Sequence, residues 1–245
     1  MKKKLLAGII FAFVLVFAGY SLFLLRFVSR KQEKDRIEAF SKSLREKNGP
    51  EAPSTLPADG DKKSVQGVLY VPAIDLELPL YKYSGQYALT YGAGILQGDL
   101  SAKKGQHSIV TSHNGEILRD LFTNLIRLKK GQHFYIKNEK NEILDYRIIH
   151  ILQVSPKGEI STFLMPGDRN LFTLRTCTPA GINIRRLHVT GVFEGFIQED
   201  QIPKGSLTLS NFEIFLLFAS VLSLFGLGKS ALQIRRELKK KKRIR

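Results

Sequence analysis

Cys177 is the chain's single cysteine. Cysteine is well suited to covalent acyl transfer, because its thiolate attacks a carbonyl readily and later leaves it readily. A lone thiol excludes an intrachain disulfide and any cysteine-based zinc or iron–sulfur centre. It lies in the segment FTLRTCTPAGINIRRLHVTG, residues 172–191. The run Leu171–Thr176 reads as a strand that delivers Cys177 to its end. Thr178-Pro179-Ala180-Gly181 then leaves the strand, and Arg186 opens the next one. If the two strands pair antiparallel, the thiol and the Arg186 guanidinium share one end of the sheet. There a guanidinium can hold an oxyanion or a peptide carbonyl. The competing reading is a small buried hydrophobe beside a surface arginine.

A nucleophilic thiol also needs a proton acceptor, and the chain holds five histidines. His133, His150 and His188 fall inside strand-like runs, and His107 begins one. His113 ends one, after Ser108–Ser112 and before the turn Asn114-Gly115. Catalytic groups gather at strand ends flanked by turns, which makes His113 the candidate acid/base and leaves the others open. No His-Glu-x-x-His pattern or ligand cluster exists, so no metal is expected. No dinucleotide or phosphate-loop pattern occurs either, so no cofactor is expected.

The elements that must position these residues are legible in the texture after Gly67. Short runs rich in Val, Ile, Leu, Tyr and Phe are broken by Gly, Pro and Asp. Expected strands are Val68–Val71, Leu78–Tyr81, Ser108–Ser112, His133–Lys137, Leu144–Val154, Leu171–Thr176 and Leu187–Phe196. Short helices are expected near Tyr87–Tyr91 and Leu118–Leu125. This pattern predicts an all-β barrel or sandwich.

The flanks differ in kind. Leu5–Leu25 is 21 residues without a charge, enough at about 1.5 Å per residue to cross a hydrocarbon core of roughly 30 Å. It is longer than a signal-peptide core and lacks an Ala-x-Ala site, so it reads as an uncleaved anchor. Ile214–Gly228 is a second uncharged run of fifteen residues, with Lys229 placed to snorkel. The net charge of +16 resolves along the same lines. Residues 67–210 hold sixteen bases and thirteen acids, whereas the tail 229–245 holds nine bases and one acid. A nearly neutral core disfavours nucleic acid as a partner. A basic cluster directly behind an apolar run stays cytoplasmic and meets anionic lipid. The expected organisation is an N-terminal anchor (1–29), an extracellular linker (30–66), a catalytic domain (67–205), a second span (206–229) and a cytoplasmic tail (230–245). Both termini are then inside and the catalytic domain outside. In the linker, Ile37, Phe40 and Leu44 form a thin helical stripe that Gly49-Pro50 ends.

Taken together, TLRTCTPAGINIRRLHVTG resembles the active-site signature of sortases, Thr-Leu-x-Thr-Cys followed by Arg-Leu on the next strand. GQHSIVTSHNG resembles the segment ending in that family's catalytic histidine, and LFTNLIRLKKGQHFYI resembles the family's stretch just beyond that histidine. The Thr-Pro-x-Gly-x-Asn stretch is most similar to class C, the pilin-polymerising sortases of Gram-positive bacteria. The resemblance covers about residues 65–197. It implies a closed sortase β-barrel with short helices, flanked by transmembrane helices. It implies Cys177 as nucleophile, His113 as acid/base, Arg186 as oxyanion or positioning group, and Thr176 on the substrate. Arg185 sits where class C members often carry His; Arg186 is chosen because it precedes Leu187. No Asp-Pro lid motif occurs in the chain. Leu56-Pro57-Ala58-Asp59-Gly60 instead resembles a sorting signal, which suggests a lid that mimics substrate.

The implied activity is cleavage of a Leu-Pro-x-Thr-Gly-type signal between Thr and Gly through a thioester. The acyl group then passes to a pilin lysine. The alternatives are transfer to a peptidoglycan amine, or a non-enzymatic envelope scaffold. The expected partners are pilin or surface-protein substrates and membrane lipid.

Overall fold

The computed structural model describes residues 2–45, 65–115, 119–158, 163, 165–203 and scattered helical positions between 214 and 232. The motif Leu56, Pro57, Ala58, Asp59 and Gly60 lies outside the described residues, as does the tail beyond 232. The chain divides into two compact units: Met1–Ser29 with Leu209–Arg245, and Arg30–Thr208.

The first unit is helical. Helix α1 runs Lys2–Arg45; its residues up to Ser29 belong to this unit and those from Arg30 to the second. A Cβ built on Gly19 would lie 3.5 Å from Ser220 Oγ, so the two terminal segments pack closely there. Phe11, Phe13, Phe17, Leu25, Phe218 and Phe225 are exposed. Among the described residues no helix is long and apolar enough to cross a membrane. The side chains of residues 2–7, 9, 10 and 12 fall outside that description.

The second unit is a closed barrel of eight strands: β1 (Val65–Val71), β2 (Leu76–Tyr81), β3 (Ala93–Gln97), β4 (His107–Thr111), β5 (His133–Asn138), β6 (Ile143–Val154), β7 (Leu171–Thr178) and β8 (Arg185–Ile197). Around the barrel the order is β1-β2-β3-β4-β7-β8-β6-β5. The pairs β2–β3 and β4–β7 are parallel, and the other neighbours are antiparallel. Alternation along each strand decides what faces the interior. On β7, Phe172 and Leu174 join the core with Val110, Phe134, Tyr146, Leu187 and Val189. Thr173, Arg175 and Cys177 therefore point to the opposite face.

The interior is filled to contact. Phe134 and Tyr146 stack at 5.3 Å, and a Cβ on Gly191 would come within 2.7 Å of Phe134 Cε1. The Tyr146 hydroxyl donates to Asn170 Oδ1 at 2.7 Å. Burial pushes its ionisation well above the ordinary tyrosine range.

Two sequence expectations are corrected here. β3 falls where no strand is expected, because its sequence, AGILQ between two glycines, reads as loop. Helix α2 (Gln86–Tyr91) is present as expected, but the second short helix is a 3-10 turn at Thr123–Arg127. Leu121 adopts a left-handed φ of 33°, which an α-helix cannot accommodate.

The β3–β4 connection is held by Asp99. Partial burial raises its pKa, but hydrogen bonds from Ser101 and Gln106, with Lys103 nearby, win and hold it at about 2. Because the folded value is depressed, this stability is present above the unfolded value of about 3.9 and is lost as pH falls toward 2. Asp99→Asn is expected to destabilise the barrel by less than about 1 kcal/mol at pH 7, the group being half-exposed. Thermal melts should show the gap between the two proteins closing between about pH 4 and pH 2.

Candidate active site

The last rungs of three strands converge. On β7 and β8, Cys177 is the register partner of Arg186, and Thr178 of Arg185. β4 lies parallel to β7 on its other side, with Thr111 level with Arg175. Two residues further along each strand are His113 and Cys177, so the parallel register carries both to the same end of the barrel. The ladder continues just past β4, where Ser112 N–H donates to Arg175 O at 3.3 Å. The antiparallel pairing read from sequence thus holds, and thiol, guanidinium and imidazole come from three adjacent strand ends. Cys177 is partly exposed, and His113 and Arg186 are half-buried.

Local hydrogen bonds fix the frame. Thr176 is fully buried, and its hydroxyl donates to Ser112 O at 2.8 Å. Its side chain braces the His113 strand. His113 O accepts from Phe122 N–H at 3.0 Å, closing the loop 113–122. Arg119 straps that loop to α2 by donating to Thr90 O at 3.0 Å and lying 4.4 Å over the Tyr91 ring. Asn114 Nδ2 donates to Cys177 O at 2.6 Å. Gly115, at φ 89°, lets the loop pass Ala180, whose Cβ would sit 3.0 Å from an added Cβ. Arg186 Nη1 donates to Asn183 O at 3.0 Å and to Arg185 O at 3.2 Å. These bonds turn its guanidinium toward the β7–β8 turn.

The outer face below Cys177 is covered. His107 Nε2 and Thr173 Oγ1 lie 2.7 Å apart, and Thr173 Oγ1 and Thr190 Oγ1 lie 2.8 Å apart. Phe163, from the β6–β7 connection, stacks on His188 at 4.4 Å and meets His107 edge-on at 5.8 Å. These two histidines therefore pack against Phe163. His133 pairs with Asp145 at 2.7 Å on the β5–β6 hairpin, away from the thiol. No Asp or Glu occurs from Arg169 to Val192, while Arg175, Arg185 and Arg186 all lie there. The site is electropositive and suited to an anionic or strongly polarised carbonyl oxygen. Among the described residues no group of three or more metal-ligating side chains is found.

Asn114 escaped the sequence reading. Asn-Gly signals a turn, and nothing local reveals that the amide reaches across to the nucleophile strand.

The barrel thus presents one thiol, one imidazole and one guanidinium on adjoining strand ends. The family model described as the sortase domain matches residues 69–193, and the chain belongs to the sortase family, which are transpeptidases. The chain is similar to sortase C-1 from Actinomyces oris (29% identity, TM-score 0.52, 67% of this chain and 97% of that one). It is also similar to the pilus-related sortase C of Group B Streptococcus (28%, 0.52, 68% and 93%). Sortase C1 from Streptococcus suis is comparable (27%, 0.53, 68% and 98%). Sortase A of Bacillus anthracis is 26% identical over 179 residues, covering 68% of this chain and 83% of that protein. The likeness to class C read from the sequence is thus matched by class C structures.

Proposed function

We propose that the chain is a membrane-anchored class C transpeptidase acting on Leu-Pro-x-Thr-Gly-type signals, with Cys177, His113 and Arg186 as its catalytic residues. The observation that carries this is the shared strand-end position of the three groups, with Cys177 and Arg186 on one rung. The Cys177 thiolate attacks the threonine carbonyl, and the oxyanion that forms is held by Arg186. As the Thr–Gly bond breaks, His113 gives a proton to the departing glycine amine, leaving a Cys177 thioester. A pilin lysine amine then attacks the thioester and passes its proton to His113. The thiolate leaves, and an isopeptide bond remains.

Anchoring completes the proposal. The uncharged runs 5–25 and 214–228 cross the membrane, the basic tail rests on cytoplasmic anionic lipid, and residues 67–205 work outside. The exposed phenylalanines of the helical unit support this reading. Incubation of the full chain in detergent with a Leu-Pro-x-Thr-Gly peptide, a pilin-derived lysine peptide and a peptidoglycan stem peptide tests the acceptor. Mass spectrometry is expected to show the lysine isopeptide in excess of the stem-peptide product. Predominant stem-peptide product would make the enzyme a wall-anchoring sortase.

A further inference from the structure

Asn114 has a buried atom that its known contacts leave without purpose. Its amide orientation is fixed, because the atom 2.6 Å from Cys177 O must be the donor nitrogen. Oδ1 is therefore the other terminus. It is buried and has no hydrogen-bond partner among the described residues. Burial closes it to solvent. A buried amide oxygen is normally satisfied, so this one points to a partner that forms only in another state of the site.

The site has such a state. Proton transfer from Cys177 to His113 turns an imidazole with one N–H into an imidazolium with two. The second N–H needs an acceptor, and it arises on the residue next to Asn114 in the chain. Among the described residues, the charged and titratable groups on the elements that meet here are Cys177 and Arg175 on β7, Arg185 and Arg186 on β8, and Arg119 and Asp120 in the loop after Gly115. The four arginines cannot accept a hydrogen bond. Arg175 donates to Thr111 Oγ1 at 3.1 Å, and Arg119 to Thr90 O. Among the described residues Asp120 is the rival acceptor.

We infer that Asn114 is a positioning residue that ties the His113 loop to the nucleophile strand through Nδ2 and accepts the imidazolium N–H of His113 through Oδ1. It thereby favours the thiolate–imidazolium pair over the neutral pair. This rests on the proposed pairing of His113 with Cys177 and adds its third member.

The single cysteine makes the test direct, since alkylation by iodoacetamide reports Cys177 alone. The full chain in detergent is compared with His113→Ala, Asn114→Ala, Asn114→Asp and Asp120→Asn at pH 6.5 and at pH 10. Asn114→Ala is expected to slow alkylation about tenfold at pH 6.5, a charge-assisted hydrogen bond being lost. At pH 10, where the free thiol ionises anyway, it should match the parent. Asn114→Asp keeps an acceptor but loses the donor to Cys177 O, so it should restore the pH 6.5 rate to within about threefold of the parent. Equal slowing in the Ala and Asp variants would mean that only the tether to Cys177 O matters and would overturn the inference. So would slowing in Asp120→Asn with none in Asn114→Ala. Failure of the underlying pairing looks different, because His113→Ala itself would then leave the pH 6.5 rate unchanged. If Asn114→Ala does not fold, the comparison of Asn114→Asp with Asp120→Asn still decides. Slowing beyond threefold in the first, or any slowing in the second, overturns the inference.

Discussion

Cys177→Ala is expected to abolish peptide cleavage and amine transfer together, with a fall in turnover on the order of 10⁴- to 10⁶-fold. The reaction gains its speed by splitting one difficult exchange into two easier ones through a covalent intermediate. Without the sulfur neither half of the proposed mechanism can occur. The fold should be indifferent to the change. Cys177 sits partly exposed near the end of β7, its face points away from the core, and Ala removes one atom without leaving an interior cavity. Cleavage assays alongside thermal melts check both halves: activity lost, melting temperature within a degree or two. Retention of transfer activity in this variant would remove the thioester route.

Arg186→Ala carries the second largest expected effect, a fall in kcat/KM of about 10²- to 10³-fold, expressed chiefly in kcat. The guanidinium is fixed beforehand by its bonds to Asn183 O and Arg185 O. In its proposed role Arg186 acts on the oxyanion alone, so the loss falls on the transition state. Lysine keeps the charge but has no fork of donors with which to hold two backbone carbonyls and meet an oxyanion as well. Arg186→Lys should therefore recover less than about tenfold of the loss. Arg185 is the internal control. It is paired with Thr178 one rung further from the thiol and is exposed. Arg185→Ala should cost less than about threefold in steady-state kinetics. A reversal of these two results would assign the role to the wrong arginine.

How far the sequence could be read depended on whether a signal was local. Strand β7 and its turn into β8 are contiguous and strongly patterned, so the rung that joins Cys177 to Arg186 followed from one hairpin. His113 was legible as a strand end, but its meeting with Cys177 depends on the parallel pairing of β4 with β7. Those strands are separated by two others in the chain, and only the resemblance to a family connected them in advance. Strand β3 was hidden because its Gly94 serves a close approach rather than a turn. A Cβ on Gly94 would meet the backbone of Tyr83 and Ser84, and that neighbour is invisible to a reading along the chain. Leu121 shows the opposite failure, since its residue type favours helix while its loop demands a left-handed backbone. The bond of Thr176 to Ser112 O and the reach of Asn114 went unread for one reason. Each makes its bond to another strand end, Thr176 to Ser112 O and Asn114 to Cys177 O, and no spacing rule reports such contacts.

The most direct measurement is the intact mass of the full chain, mixed with a Leu-Pro-x-Thr-Gly peptide and no acceptor amine. The thioester account predicts an added mass equal to the acyl fragment ending at threonine, located on Cys177, released by hydroxylamine and absent from Cys177→Ala. Cleaved peptide with no adduct on Cys177, or an adduct on any other residue, would contradict it.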